Sequence, residues 1–270
     1  MTRIERVKAA IQHVQPDRVP KGDLSIAPAL INKILGTDYP SDLQHFERDV
    51  AIREKLNADV INIGEWPREK IGEDFYRSPY GTVVEDNGKS SHIIKPMLEN
   101  IEDAYSYTAP KADNITGDLV RQYKKETDFY VFSQIGGPIS MLNEAIPMED
   151  YLVYCMTNTE EMKFLGEKVQ EYELEKARIF LDSGTDAILI ADDMAYNSGT
   201  FLPPKIMDEI VFPFYKNMIR EIKKYRDVPV FLHTDGNINM VMDRIVACGF
   251  DGIQSIQPSA GMDIAQIKRD

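Results

Sequence analysis

A histidine, an aspartate and an asparagine fall two residues apart in the stretch Phe231-Leu232-His233-Thr234-Asp235-Gly236-Asn237, directly after an apolar run. Side chains in a β-strand alternate with a period of two, so a strand ending here turns all three toward one place at its carboxyl end. An imidazole with a carboxylate two positions on offers three chemistries: metal ligation, acid/base transfer, or a well-bonded strand end. Other apolar runs end in polar groups too. Asn62, Glu65 and Trp66 follow one, Ser133, Gln134 and the pair Gly136-Gly137 another, and Gln254 and Gln257 accompany the last. Asp192 and Asp193 close a further run and lead into Tyr196 and Asn197, while Asp23 and Ser25 go with the first. Neighbouring strand residues point oppositely, so one of Asp192 and Asp193 caps or pairs while the other, expected to be Asp193, faces the site. Asp23 and Asn62 can equally serve as helix caps. None of these ends carries a cluster of Arg or Lys, which argues against a ligand bound through phosphates.

The elements that must position these groups alternate along the chain. Short apolar runs at residues 19–24, 60–63, 130–132, 187–190, 230–232 and 252–256 are separated by longer amphipathic stretches. In residues 159–182, for example, Met162, Leu165, Val169, Tyr172, Ala177 and Phe180 recur at helical spacing. Strand then helix, repeated, predicts an α/β fold with a parallel sheet. The stretches "LNADVINIG", "SGTDAILIADD" and "CGFDGIQSI" share one form, a turn with a small residue and Asp before the strand. That recurrence favours repeated βα units closing as a barrel over an open sheet, with ligands at the strand carboxyl ends. One domain, residues 1–270, suffices for this length. Residues 74–96 break the rhythm with Asn87-Gly88 between β-rich flanks, which predicts an inserted β-hairpin, either a surface flap or a lid.

Charge and composition narrow the partners. With 31 Lys and Arg against 44 Asp and Glu, the net charge of -13 repels phosphates and excludes a nucleic-acid partner. Two cysteines, Cys155 and Cys248, make neither a disulfide framework nor a zinc-ribbon spacing. There is no run of signal-peptide or membrane-span character, so the expected location is the cytoplasm, away from membranes.

The segments "PDRVP", "DDMAYNSGTFLPPKIMDEIVFPFYK" and "VPVFLHTDGNINMVMDRIVACGFDGIQSIQPSAGMDI" together resemble the uroporphyrinogen decarboxylase superfamily over nearly the whole chain, most specifically in its last third. Within it the chain resembles the cobalamin-dependent methyltransferase branch. The resemblance implies a (β/α)8 TIM-type barrel, methylcobalamin carried by a small separate corrinoid-binding protein, and a methyl acceptor at the strand ends. Six strands are counted where the family has eight, so the last strands are expected outside this chain unless the barrel closes in another way.

Departures from the family pattern shape the expected reaction. The decarboxylases carry N-terminal arginines for substrate carboxylates, where this chain reads "RVPKGDLSIAP". The thiol methyltransferases hold zinc by a His-x-Cys element and a later Cys; here the pair is His233-x-Asp235 and no cysteine follows Cys248. Zinc there serves to hold a thiolate nucleophile, which a neutral amine acceptor does not require. The resemblance with its lost ligand therefore implies tetrahydrofolate as acceptor and no bound metal. Asp235 and His233 would relay protons and Asp193 would hold the pterin, with Asn62, Gln134 and Asn237 pairing to its edge. Asp23, Glu65, Asp192, Tyr196, Asn197 and Gln254 complete the expected substrate-binding set. His-x-Asp can still ligate zinc, so a zinc-assisted transferase to a thiol remains the alternative, and a non-catalytic corrinoid- or pterin-binding module a further one.

Overall fold

The computed structural model describes residues 1–36, 46–88 and 90–269. Eleven strands run through the described residues. The central ones are β1 (Val60–Gly64), β6 (Tyr130–Gly136), β7 (Ala187–Ala191), β10 (Val230–His233) and β11 (Gly252–Gln254). They form one parallel sheet in the order β1-β6-β7-β10-β11. Between β1 and β6 lies an antiparallel sheet of β2 (Glu69–Lys70), β3 (Phe75–Arg77), β4 (Val83–Asp86) and β5 (Ser91–Lys95), and β8 (Ala195–Tyr196) pairs with β9 (Gly199–Thr200).

The strands separate two apolar layers by parity. Tyr130, Phe132, Ala187 and Leu189 are buried on one face, with Val7, Leu24, Val60 and Phe231 packed against them. Val131, Ile135, Ile188, Ile190, Val230 and Leu232 belong to the larger core on the other face, with the helices. A parallel sheet buried on both sides reads as continuous apolar sequence, as "AILIA" does in β7. The long helix Thr159–Asp182 buries Met162, Leu165, Val169, Tyr172, Phe180 and Leu181 against that core, its acidic Glu160 and Glu161 lying in the first turn.

Two readings of the sequence change. Residues 19–24 are not a strand, which leaves five parallel strands where six were expected. Pro20 has no N–H to give to a ladder, and the Lys21 carbonyl makes the main-chain contact to the sheet's edge, accepting from the amides of Asp59 and Val60 at 2.7 and 3.1 Å. Residues 74–96, expected as a hairpin, hold three strands, β3, β4 and β5, of a four-stranded meander that starts at Glu69; Asn87 and Gly88 lie between β4 and β5, and the neighbouring Lys89 is outside the described residues.

The opposite end of the sheet is closed by ion pairs. Asp59, fully buried before β1, accepts from Arg6 at 2.7 Å and from Arg18 at 2.5 and 2.8 Å. Arg18 is the arginine of "PDRVP", so that segment staples the amino ends of the strands.

Candidate active site

Asp193, His233 and Asp235 meet at the carboxyl ends of β7 and β10. One potential ligand atom from each lies within 4.8 Å of the others. The His233 Nε2 stands 3.9 Å from Asp193 Oδ1, and the same carboxylate oxygen accepts the Asp235 amide at 2.9 Å. The other ring nitrogen, Nδ1, pairs with the Gln254 side-chain oxygen, and Asp235 accepts from the Ser255 hydroxyl. His233 is half-buried while the two carboxylates are exposed, so the cluster sits at the rim of the strand ends with its imidazole set inward.

Backbone geometry fixes this cluster. Gly236 has φ +88, and a Cβ there would come within 2.5 Å of the Ala195 carbonyl carbon. A glycine is required on both counts, the left-handed backbone and the close approach of β8. The Gly236 amide donates to Gln257 Oε1 at 2.8 Å and the Asn237 amide to the Tyr196 carbonyl at 2.9 Å. Ser255 has φ +77, an uncommon backbone for a non-glycine residue; it directly follows β11 and turns its hydroxyl onto Asp235.

Other expected site residues divide. Asn62, Gln134 and Gln254 have the parity of Phe132, Leu189, Phe231 and His233, the inner face of the sheet. Asn62 and Gln254 line a cavity there of about 180 Å³, and the Asn62 amide donates to the Asp23 carbonyl at 3.1 Å. Asp23 thus contributes its backbone to that contact, and its side chain is exposed. Asp192 is fully buried behind the wall of the cavity described below, which it helps to line, and its oxygens are engaged: it accepts from the amides of Ile139 and Ser140 at 3.2 and 2.5 Å and from the Tyr215 hydroxyl at 2.5 Å. It therefore caps the helix Pro138–Ala145, the capping role expected of one of the two aspartates. Burial pushes its carboxyl up to about 6, opposed by those hydrogen bonds. Glu65 is likewise structural, its two oxygens accepting the amides of Thr116 and Gly117 at 2.8 and 2.7 Å. Tyr196 and Asn197 are exposed on the β8–β9 turn, where Tyr196 stacks on Phe201 at 6.0 Å and Asn197 accepts from Gln257 at 3.4 Å. Asn237 holds the following turn through the Asn239 amide at 3.1 Å.

A cavity of about 340 Å³ opens beside the cluster, and Asp193 and His233 form part of its wall. Trp66, noted in the sequence after β1, lines the rest together with groups not expected at the site. Tyr172, Glu173 and Lys176 project from the long helix, Trp66 and Arg68 follow β1, and Ser78 and Tyr80 come from the inner turn of the meander. The visible signal was position: Lys176 falls on the apolar stripe, four residues after Tyr172 and four before Phe180. Cys155 and Cys248 are both buried away from this wall; burial raises their thiols to about 12 and about 11.

Residues 81–269 match the family model described as uroporphyrinogen decarboxylase (URO-D). Among curated proteins, a methylcobamide:CoM methyltransferase MtaA of Methanosarcina barkeri is 22% identical over 152 residues, 56% of this chain and 42% of the relative. The protein of that name from strain Fusaro is 22% identical over 144 residues, 53% of this chain and 40% of the relative. The matches thus span about two fifths of these relatives' length. Among solved structures, a methyltransferase from Methanosarcina mazei superposes with a TM-score of 0.71 at 15% identity, covering 97% of this chain and 80% of that one. That likeness establishes the fold.

Proposed function

Because the chain belongs to the uroporphyrinogen decarboxylase family, we propose that it is a methyltransferase that moves a methyl group from a methylcobamide, carried on a small corrinoid protein, to tetrahydrofolate at the strand ends. The corrinoid supplies an activated methyl group. The observation that carries this reading is the convergence of Asp193, His233 and Asp235 within 4.8 Å beside a cavity. The names of the curated relatives support a methylcobamide-dependent reaction. The ion pairing of Arg18 with Asp59 weighs against decarboxylation of a many-carboxylate substrate, since that guanidinium is already held by a buried partner.

In this reading Asp235 accepts the proton that a secondary amine releases once methylated, and Asp193, through the Asp235 amide, holds that carboxylate in place. His233, oriented by Gln254, passes the proton toward solvent. Asn62, Gln134 and Gln254 on the inner face present amide edges to a pterin.

A second reading rests on the same 4.8 Å cluster. One imidazole and two carboxylates are a sufficient donor set for zinc with one position left for a substrate, and zinc would hold a thiol acceptor as thiolate. One experiment separates the two: product mass spectrometry after mixing the protein, as purified and after chelation, with methylcobalamin and either tetrahydrofolate or a simple thiol. Methyltetrahydrofolate formed equally with and without chelation supports the first reading. A methyl thioether formed only by metal-replete protein overturns it in favour of the second.

A further inference from the structure

The cavity beside the cluster has an inner wall that the proton relay does not use. Its polar groups come from one face of the helix Thr159–Asp182, where Tyr172, Glu173 and Lys176 lie three and four residues apart. Tyr172 is 2% exposed, and its hydroxyl has no hydrogen-bond partner although it lines the cavity. The Ser78 hydroxyl, on the facing turn, is buried and unpartnered as well. Native proteins rarely leave such groups unpaired, because each costs about 1–3 kcal/mol when buried alone.

Lys176 is 1% exposed, and its ammonium lies 3.5 Å from the centroid of the Trp66 ring and 3.6 Å from Glu173. Glu173 is itself engaged: one oxygen accepts the Tyr80 hydroxyl at 2.8 Å and the other the Gly136 amide at 2.7 Å. The carboxylate therefore neutralises Lys176 without saturating its three donors. Burial pulls the Lys176 amine below its ordinary range, while Glu173 beside it favours the charged form. A second cation, Arg68, stands on the same wall, paired with Asp86 at 3.3 Å. Lys176, Arg68 and the Tyr172 and Ser78 hydroxyls thus give this wall donors next to the aromatic faces of Trp66, Tyr80 and Tyr172; Glu144, whose carboxyl burial pushes above its ordinary range, lies on it as well.

We infer that this cavity is a recognition subsite for an oxyanion, a carboxylate borne by the small-molecule substrate, received by the Lys176 ammonium and the Tyr172 hydroxyl while its reacting end reaches Asp193 and His233. The volume, about 340 Å³, suits a small molecule or one end of a larger one. The role in a reaction rests on the methyl-transfer reading above; the binding itself does not.

Trp66 is the one tryptophan of the chain, so its fluorescence reports on the cavity directly. The test titrates benzoate, and separately its uncharged amide benzamide, into the wild-type protein and three variants, by Trp66 emission and by calorimetry. Tyr172→Phe removes one donor; Lys176→Arg keeps the charge; Lys176→Met with Glu173→Gln removes both charges, so that no carboxylate is left buried and unpaired. Benzoate should bind wild type with a change in Trp66 emission. Its affinity should fall about tenfold or more in the double variant and about threefold to tenfold in Tyr172→Phe, the loss expected for charged and neutral hydrogen bonds. Lys176→Arg should retain more affinity than the double variant, and benzamide should lose less than benzoate. Thermal unfolding of each variant identifies any loss that follows from misfolding, and Tyr172→Phe, which removes one unpartnered oxygen, carries the test should the double variant not fold. Benzoate that fails to bind wild type, or binds all folded variants equally, overturns the inference. Binding through Lys176 without any methyl transfer would uphold it and remove the proposed function alone.

Discussion

Replacing Gly236 with alanine isolates how tightly the strand-end cluster is built. The added Cβ would lie 2.5, 2.6 and 2.7 Å from Ala195 C, Ala195 O and Tyr196 N, all backbone atoms that cannot rotate away. Reaching ordinary contact requires a relative shift of about 1 Å, and overpacking of this kind costs about 1–3 kcal/mol. The left-handed backbone adds about 1–2 kcal/mol for any residue with a Cβ. Gly249 provides the control, because its φ of +90 matches while its added Cβ would meet nothing within 4 Å. Urea unfolding should therefore show Gly249→Ala destabilised by about 1–2 kcal/mol and Gly236→Ala by about 2–5 kcal/mol. A 1 Å displacement beside Asp235 should also slow methyl transfer by about 100-fold, whereas Gly249→Ala should leave the rate unchanged. Equal destabilisation of the two variants, or a Gly236→Ala protein with wild-type stability, would refute the steric argument.

Asp235→Asn keeps the shape and removes the base, so single-turnover methyl transfer should fall by about 100-fold to 10,000-fold with pterin affinity little changed, read as rates across pH. Asp192→Ala leaves the Ile139 and Ser140 amides and the Tyr215 hydroxyl without their acceptor and should destabilise the fold by about 3–6 kcal/mol in thermal or urea unfolding. A variant that keeps its stability but loses substrate binding would return Asp192 to the substrate. Native Cys155 and Cys248 should resist iodoacetamide at pH 8, their thiols being raised to about 12 and about 11, and label on unfolding, as peptide mass spectrometry would record. Deleting the tip around Asn87-Gly88 should leave benzoate binding intact, since the wall residues Ser78 and Tyr80 come from the meander's inner turn.

The period-two spacing of His233 and Asp235 was legible because a strand end converts sequence parity directly into direction. That one of Asp192 and Asp193 caps was legible from parity, but the partners of Asp192 and Glu65 were not, because they are backbone amides far along the chain, Ile139 and Ser140 for one and Thr116 and Gly117 for the other. The run at residues 19–24 has strand-like composition, but Pro20 withholds a donor and the ladder never forms. Reading strand ends alone concealed the wall that carries Lys176, since this lysine arrives from within a helix. There a lysine is ordinarily solvated, and only its place on the apolar stripe marks it.

Glu173 joins three parts of the cavity wall: Tyr80 of the inner turn, the Gly136 amide at the end of β6, and Lys176. Swinging Tyr80 outward breaks a hydrogen bond to a buried carboxylate, at about 1.5–3 kcal/mol. At equilibrium the turn would then stand open in only about 0.6–7% of molecules. Ligand entry past this turn becomes a gated process whose observed association rate is the diffusive rate scaled by that open fraction. Tyr80→Phe, by loosening the latch, would speed both entry and escape.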